Sequence, residues 1–300
     1  MTNIPDILLP TTVVGSYPPD GKKGLGSMID PMRPAVKRAV DDQLEAGIDI
    51  ISDGQVRGDM IVSFTRRLPG VRGHDVIGKV MPPSGTISVA DTKYALSKAR
   101  YVKGIITGPS TLSHALHIST PMYRKREELT IDLAQAFSGE AVTLEEAGVC
   151  MVQLDEPILS TGAADLGIAK EAISRITSRL KIPSCLHVCG DLSGVIDEIL
   201  SLPVHILDFE FANNPNNLEI LGEKDLMGRK LGFGCLDSTD SHVEDVETVK
   251  RRIRAGIDIF GAENLLLDPD CGLRMLPRDA ARGKLAHLVS AAKEVREELK

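Results

Sequence analysis

Short apolar runs rich in β-branched residues alternate along the chain with longer segments whose apolar residues recur at helical spacing. Eight of these runs have the length of a strand: TTVVGSYP (11–18), IDIISDGQ (48–55), YVKGIITGP (101–109), VCMVQLDEP (149–157), PSCLHVCG (183–190), VHILDFEF (204–211), KLGFGCLDS (230–238) and NLLLDPDCG (264–272). The alternation therefore predicts eight units, each a strand followed by a helix.

The segments between the runs predict amphipathic helices, among them RPAVKRAVDDQLEAG, VEDVETVKRRIRAG and a last stretch from Pro277 to Lys300. Gly47, Gly148 and Gly256 stand where three of these helices would end, as glycine often does. The stretch from Leu68 to Arg100 is longer than an ordinary connection, so it predicts an elaborated loop over one end of the fold.

Eight strand–helix units in 300 residues favour an α/β fold, a single (β/α)₈ TIM barrel. An open doubly wound sheet is the alternative. No linker rich in proline, serine or charge divides the chain, so residues 1–300 are interpreted as one catalytic barrel domain.

Charge and composition exclude several classes of partner. The 42 acidic and 35 basic residues give a formal charge of −7, which disfavours nucleic acid and anionic membranes. No apolar stretch approaches the roughly 20 residues of a membrane helix, and the N-terminus lacks the features of a signal peptide. We therefore expect a cytoplasmic protein with no nucleic-acid or membrane partner. The absence of tryptophan leaves few rings for stacking against planar ligands.

Polar residues gather at the C-terminal ends of the predicted strands, where barrels of this kind build their active sites. They are Gly15, Ser16, Asp53, Gln55, Gly108, Asp155, Glu156, His187, Cys189, Glu210, Asp237, Asp270 and Cys271. We expect the strand interiors, in contrast, to be apolar.

The segment CLHVCG is the strongest candidate for metal binding. His187 and Cys189 are two residues apart, so on a strand they share a face with Cα atoms about 6.6 Å apart. In a closed barrel, Glu210 and Cys271 would end strands near this pair. An imidazole, two thiolates and a carboxylate suit zinc better than calcium or magnesium.

The other three cysteines are expected to be ordinary buried thiols. Cys185 would lie about 13 Å along the strand from Cys189, too far to share an ion. Cys150 and Cys235 have no supporting spacing.

Two further strand ends carry groups suited to a charged substrate. Asp155 and Glu156 point to opposite sides of their strand end, where a carboxylate either binds a substrate ammonium group or caps the following helix. The Gly15–Ser16 turn offers N–H groups and a hydroxyl to a carboxylate, or is simply a tight turn. His114 and His117 are expected on a solvated helix face.

Taken in order, VVGSYP, DGQVRGDM, VKGIITGPST, QLDEP, HVCGD, DFEFANN and DPDCGLR resemble the C-terminal catalytic barrel of cobalamin-independent methionine synthases, over residues 11–295. The chain is similar to the short, single-barrel form of that family. The resemblance implies that homocysteine is held by the Gly15–Ser16 turn and Asp155. It implies zinc bound by His187, Cys189, Glu210 and Cys271.

Two positions depart from the full-length family. Gln55 stands where those members have a glutamate that assists substrate binding, and it cannot supply the charge. Either Thr239 or His242 lies opposite their catalytic histidine, so Asp237 is the preferred catalytic candidate together with Glu210. Glu210 is expected to recede or exchange when the substrate thiol reaches the metal.

The resemblance to the short form implies a methylcorrinoid donor, either methylcobalamin or a methylated corrinoid protein that docks over the barrel mouth. The alternatives are a folate-dependent homocysteine methyltransferase, a coenzyme M-type thiol methyltransferase, and a zinc-binding barrel without catalysis. Asp155 favours an amino-acid substrate, because coenzyme M has no amine to pair with it.

Overall fold

The computed structural model describes residues 4–19 and 30–300, and the account below is confined to them. Its strands are β1 (Val71–Arg72), β2 (Asp75–Val76), β3 (Lys103–Thr107), β4 (His117–Ile118), β5 (Met151–Asp155), β6 (Ser184–Val188), β7 (Ile206–Glu210), β8 (Lys230–Leu236) and β9 (Leu265–Pro269). Its α-helices are α1 (Arg33–Ala46), α2 (Val62–Thr65), α3 (Val89–Leu96), α4 (Pro109–Ala115), α5 (Arg126–Ala147), α6 (Leu166–Thr177), α7 (Ile196–Leu200), α8 (Asn216–Gly222), α9 (Val246–Phe260) and α10 (Arg278–Glu298).

Six parallel strands form the central sheet in the order β3–β5–β6–β7–β8–β9. The first two predicted strands are reduced to single bridges, Thr11 to Leu267 and Ile51 to Val102. The N–H of Ile50 also donates to the carbonyl of Thr11 at 2.9 Å. These contacts join both edges of the sheet through the two N-terminal segments, so the predicted (β/α)₈ barrel is confirmed.

The helices pack around this barrel over an aliphatic core, and two of the three predicted glycine ends are confirmed. Gly47 and Gly148 end α1 and α5 in the left-handed conformation, with φ of 85° and 103°. The prediction at Gly256 is wrong, because α9 continues to Phe260. A Cβ at Gly256 would lie 2.9 Å from the ring of Phe233, so this glycine allows α9 to pack closely against β8.

The long stretch from Leu68 to Arg100 is not a bare loop. It carries β1, β2 and α3, and β2 pairs in parallel with β4 to form a separate three-stranded sheet. Elsewhere, no helix among the described residues is long and apolar enough to cross a membrane.

The expectation of apolar strand interiors is also wrong. Lys103, Gln153, Asp208 and Asp268 lie on central strands and are at most 2 % exposed. The Nζ of Lys103 donates to Oε1 of Gln153 at 2.5 Å, so a buried cation and its neighbours compensate one another inside the barrel. Strand periodicity could not distinguish these inward polar positions from residues at the strand ends.

Candidate metal centre and substrate pocket

Three side chains converge at the carboxyl end of the barrel, from the ends of β6 and β9, two strands that are far apart in the chain. One ligand atom each from His187, Cys189 and Cys271 lies within 4.8 Å of the other two. A tetrahedral zinc site places its ligand atoms about 3.3–3.8 Å apart, so small rotations of these side chains suffice to reach it. The donor set, one imidazole and two thiols, therefore fits zinc.

The imidazole of His187 is supported by the next strand. Strand register places His187 beside Asp208, and Nδ1 lies 3.2 Å from Oδ1 of that carboxylate, although not aligned as a hydrogen bond. Burial lowers the pKa of His187, but the anion of Asp208 and the neighbouring thiols outweigh burial and raise the pKa well above its usual value. A carboxylate behind Nδ1 is the usual partner of a metal-binding histidine, and it leaves Nε2 to face the ion.

The two thiols share a charge rather than each carrying one. A hydrogen bond from Cys189, assisted by His187, holds the pKa of Cys271 well below its usual value despite burial. That same hydrogen bond and burial raise the pKa of Cys189. Cys271 therefore loses its proton easily and Cys189 does not, because two thiolates would repel one another in this buried site. A divalent cation would remove that repulsion.

Glu210 lies beside this cluster but not in it. Its Oε1 accepts a hydrogen bond from the side-chain amide of Asn214, one turn into the following segment. Burial raises the pKa of Glu210, and the charge of Cys271 adds to the effect. The fourth predicted ligand is therefore near the metal site with its carboxylate held by a neighbour.

The two adjacent carboxylates at the end of β5 have different surroundings. Glu156 accepts from the N–H of Ser110 at 2.9 Å and from the N–H and hydroxyl of Thr111 at 2.7 Å each, so it caps α4. Asp155 accepts instead from the amide of Gln153 at 2.7 Å, inside the barrel. Burial raises the pKa of Asp155 to about 6. The structure thus assigns Glu156 to the helix and leaves Asp155 inside the barrel, within electrostatic reach of His187 and Cys271.

Gly15, Ser16 and Gln55 lie together, next to the residue that follows Cys271. A Cβ at Gly15 would be 2.9 Å from Oε1 of Gln55, and one at Gly272 would be 1.9 Å from Oγ of Ser16. The turn is therefore packed between Gln55 and the residue after Cys271. The Nε2 of Gln55 is buried without a partner, and Gln55 itself has a φ of 43°. A buried, unpaired N–H₂ group and a non-glycine residue in the left-handed region are both features of functional sites.

Asp237, the other proposed catalytic residue, lies in a loop rather than at the cluster. Its Oδ1 accepts from the N–H and hydroxyl of Thr239, at 2.7 Å each. Those bonds lower the pKa of Asp237 even though burial raises it. His242 and His117 are exposed, and His114 is half-buried with ring nitrogens near two backbone carbonyls. None of these histidines belongs to the group of ligand atoms described above.

Sequence reasoning missed the residues that support the site. Asp208 stands behind His187, Asn214 holds Glu210, and Gln153 contacts Asp155. The sequence identifies Asp270 only as a strand-end residue; in the structure it accepts hydrogen bonds from the N–H groups of residues 211–213 at 2.6–3.0 Å. For Asp208 and Gln153 the sequence did hold a signal, since each is a polar residue two positions before a predicted site residue on the same strand.

These features define a (β/α)₈ barrel with a candidate zinc centre at the carboxyl ends of its strands. Residues 9–294 match the family model described as the catalytic domain of cobalamin-independent synthases. The chain belongs to this family.

Several curated relatives are methionine synthases of similar length. The chain is 47% identical to that of Methanothermobacter marburgensis, with 95% of this chain and 99% of the relative covered. It is 41% identical to that of Methanocaldococcus jannaschii, with 95% and 99% covered. Among solved structures, a B12-independent methionine synthase from Shewanella sp. W3-18-1 in complex with selenomethionine matches with a TM-score of 0.86 and 25% identity, over 97% of this chain and 99% of that one.

Proposed function

We propose that this protein is a zinc-dependent methyltransferase that forms methionine by methylating the thiol of homocysteine. The observation that carries the proposal is the convergence of His187, Cys189 and Cys271 within 4.8 Å at the carboxyl end of the barrel. Membership of the methionine synthase family supports the reaction.

His187, Cys189 and Cys271 would hold the metal, with Glu210 as the fourth ligand when no thiol is bound. Zinc, when bound, supplies a Lewis acid that converts a coordinated thiol to its thiolate at neutral pH. The side chain of Asn214 then has a separate task. It holds the carboxylate of Glu210 by a hydrogen bond, which leaves room for the substrate sulphur. The carboxylate of Asp237 accepts a hydrogen bond within its own loop, and its role in catalysis stays a prediction.

The amino-acid end of homocysteine would lie across the pocket from the thiol. The carboxylate of Asp155 is the group that would pair with the ammonium group. The Gly15–Ser16 turn and the unpaired Nε2 of Gln55 would donate to the carboxylate. Gln55 therefore serves as a neutral donor, a role that does not require the charge of the glutamate found in full-length relatives.

The proposed methyl donor is a methylcorrinoid, either methylcobalamin or a methylated corrinoid protein. The chain contains no tryptophan, and none of its tyrosine or phenylalanine side chains is exposed in the described residues, which contain all of them. A flat folate ring would thus find few aromatic faces to stack on, since among the described aromatic side chains Tyr94, Tyr101 and Phe260 are half-buried and the others are buried. The two methionine synthases named above are matched over 99% of their length, so they are as short as this chain.

A donor and acceptor panel tests the function. Zinc-loaded protein is offered methylcobalamin or methyltetrahydrofolate as donor, with homocysteine or coenzyme M as acceptor. We expect methionine from methylcobalamin and homocysteine. Equal rates with the folate would refute the corrinoid donor, and preferential methylation of coenzyme M would refute the amino-acid acceptor.

Substitution of Glu210 tests ligand exchange. If Glu210 gives way to the thiol, Glu210→Ala retains zinc but binds homocysteine with altered affinity, because the competing ligand is gone. Zinc content is measured by metal analysis and homocysteine affinity by calorimetry. Glu219→Ala, an exposed carboxylate on α8, is the matched control. An unchanged homocysteine affinity in Glu210→Ala would contradict the exchange.

A further inference from the structure

We infer that Gln153 is a positioning residue that sets the spacing between the ammonium-binding and carboxylate-binding ends of the substrate pocket. The inference rests on the proposed function, because it concerns how an amino-acid thiol is distinguished from simpler thiols. Neither the sequence pattern nor the metal centre assigns Gln153 any role.

The amide nitrogen of Gln153 bridges the two ends. Nε2 donates to Oδ1 of Asp155 at 2.7 Å and to the backbone carbonyl of Val14 at 2.8 Å. Asp155 is the proposed partner of the ammonium group, and Val14 immediately precedes the Gly15–Ser16 turn. Both N–H bonds of one planar amide are therefore used to join two segments 139 residues apart in the chain.

The amide can do this because its oxygen is fixed from the other side. Nζ of Lys103 donates to Oε1 of Gln153 at 2.5 Å, and both side chains are almost completely buried. A cation at the oxygen end compels the nitrogen end to face the two acceptors, since a flipped amide would point its N–H₂ group at an ammonium. Only an amide offers one acceptor and two donors in this arrangement. Glutamate would accept from Lys103 but donate to neither neighbour.

The arrangement has a consequence for specificity. Each end of the pocket recognises one charged group of an α-amino acid, and a rigid link between the ends favours ligands that carry both groups at the correct separation. A thiol with only one of the two groups uses only half of this preorganised pocket. Gln153 should therefore matter most for homocysteine and less for analogues that lack either group.

The test is the binding of three thiols to zinc-loaded Gln153→Glu, a substitution that keeps a partner for Lys103 but removes both donated N–H bonds. The ligands are homocysteine, 4-mercaptobutyrate, which lacks the amine, and 3-mercaptopropylamine, which lacks the carboxylate. We expect the Kd of homocysteine to rise at least about tenfold, that of each analogue to rise less, and zinc content to stay the same. KM for homocysteine should rise more than kcat falls.

Two further variants keep the test decisive. Gln153→Met removes the donors without adding a charge, and it should reproduce the ranking of the three ligands if Gln153→Glu fails to fold. Gln135→Glu makes the same chemical change on the exposed face of α5 and should bind all three ligands like the unmodified protein.

The outcomes separate this inference from the proposed function. If the unmodified protein fails to bind homocysteine, the proposed function is wrong. If it binds homocysteine, but the Gln153 variants retain its affinity or weaken all three thiols equally, then the positioning role is refuted and the proposed function stands.

Discussion

The two halves of the proposed substrate site are built in opposite ways. In the metal half, His187, Cys189 and Cys271 face one another, both ring nitrogens of His187 lack hydrogen-bond partners, and the two thiols compete for one negative charge. In the amino-acid half, the amide of Gln153 has partners for its oxygen and for both N–H bonds. The metal half is electrostatically incomplete, whereas in the amino-acid half the link through Gln153 is satisfied by the protein, and the unpaired Nε2 of Gln55 is left for the substrate.

This difference has a physical meaning. Buried polar atoms without partners are costly, so their persistence at one place points to a ligand that completes them. A complete network, in contrast, holds its geometry before any ligand arrives. The metal half should therefore depend on a cation, whereas the link through Gln153 should hold its geometry with or without it.

The largest expected effect comes from removing a thiol of the metal half. Cys271→Ser should lose most of its zinc and at least about 100-fold of its methyl-transfer rate, because a hydroxyl is a poor substitute for a thiolate on zinc. Metal analysis and a methionine assay measure the two effects. Cys235→Ser is the control, since that thiol is buried in the core and its hydrogen bond goes to the carbonyl of Asp268. Full zinc content in Cys271→Ser would rule out this centre.

A smaller effect is expected from the residue behind the metal half. Asp208→Asn should weaken zinc binding by about 10–100-fold, because it removes the anion that orients His187 and makes it more basic. Competition with a chelator gives the affinity. Asp197→Asn, an exposed aspartate on α7, should leave it unchanged. If Asp208→Asn binds zinc normally, His187 is oriented by other contacts.

The amino-acid half should respond to pH. Burial raises the pKa of Asp155 to about 6, and only the ionised carboxylate pairs with an ammonium group. Above pH 6 this contribution to homocysteine affinity should be constant. Below pH 6 affinity should fall by up to tenfold per pH unit. Binding of 4-mercaptobutyrate, which has no amine, provides the baseline for the other titrating groups. Parallel pH profiles for the two thiols would show that Asp155 does not pair with the amine.

The smallest effect on catalysis is expected from the neighbouring carboxylate. Glu156→Gln turns an N–H₂ group toward the start of α4 and leaves a backbone donor unpaired, which should cost about 1–3 kcal/mol of folding stability. Thermal unfolding measures this loss. KM for homocysteine should not change, and a large rise in KM would mean that Glu156, not only Asp155, contacts the substrate.

Much of the architecture was predictable because it depends on local patterns. The six strands of the central sheet lie inside predicted runs, and Gly47 and Gly148 end helices as their spacing indicates. Gly256 was misread, since its need for close packing against Phe233 comes from a strand that is distant in sequence. The sequence alone does not distinguish a glycine that ends a helix from one that allows close packing against another element.

By itself, the sequence determined the alternation of strands and helices, the polar residues at strand ends, and the His-x-Cys spacing on one face. Only the tertiary structure decided that Glu156 caps α4 while Asp155 stays inside the barrel. It also brought Cys271 to His187 and Cys189, left Glu210 bonded to Asn214, and connected Lys103 to Asp155 through Gln153. The reason is that backbone periodicity sets the face of each residue, whereas barrel closure and the pairing of buried charges set which faces meet.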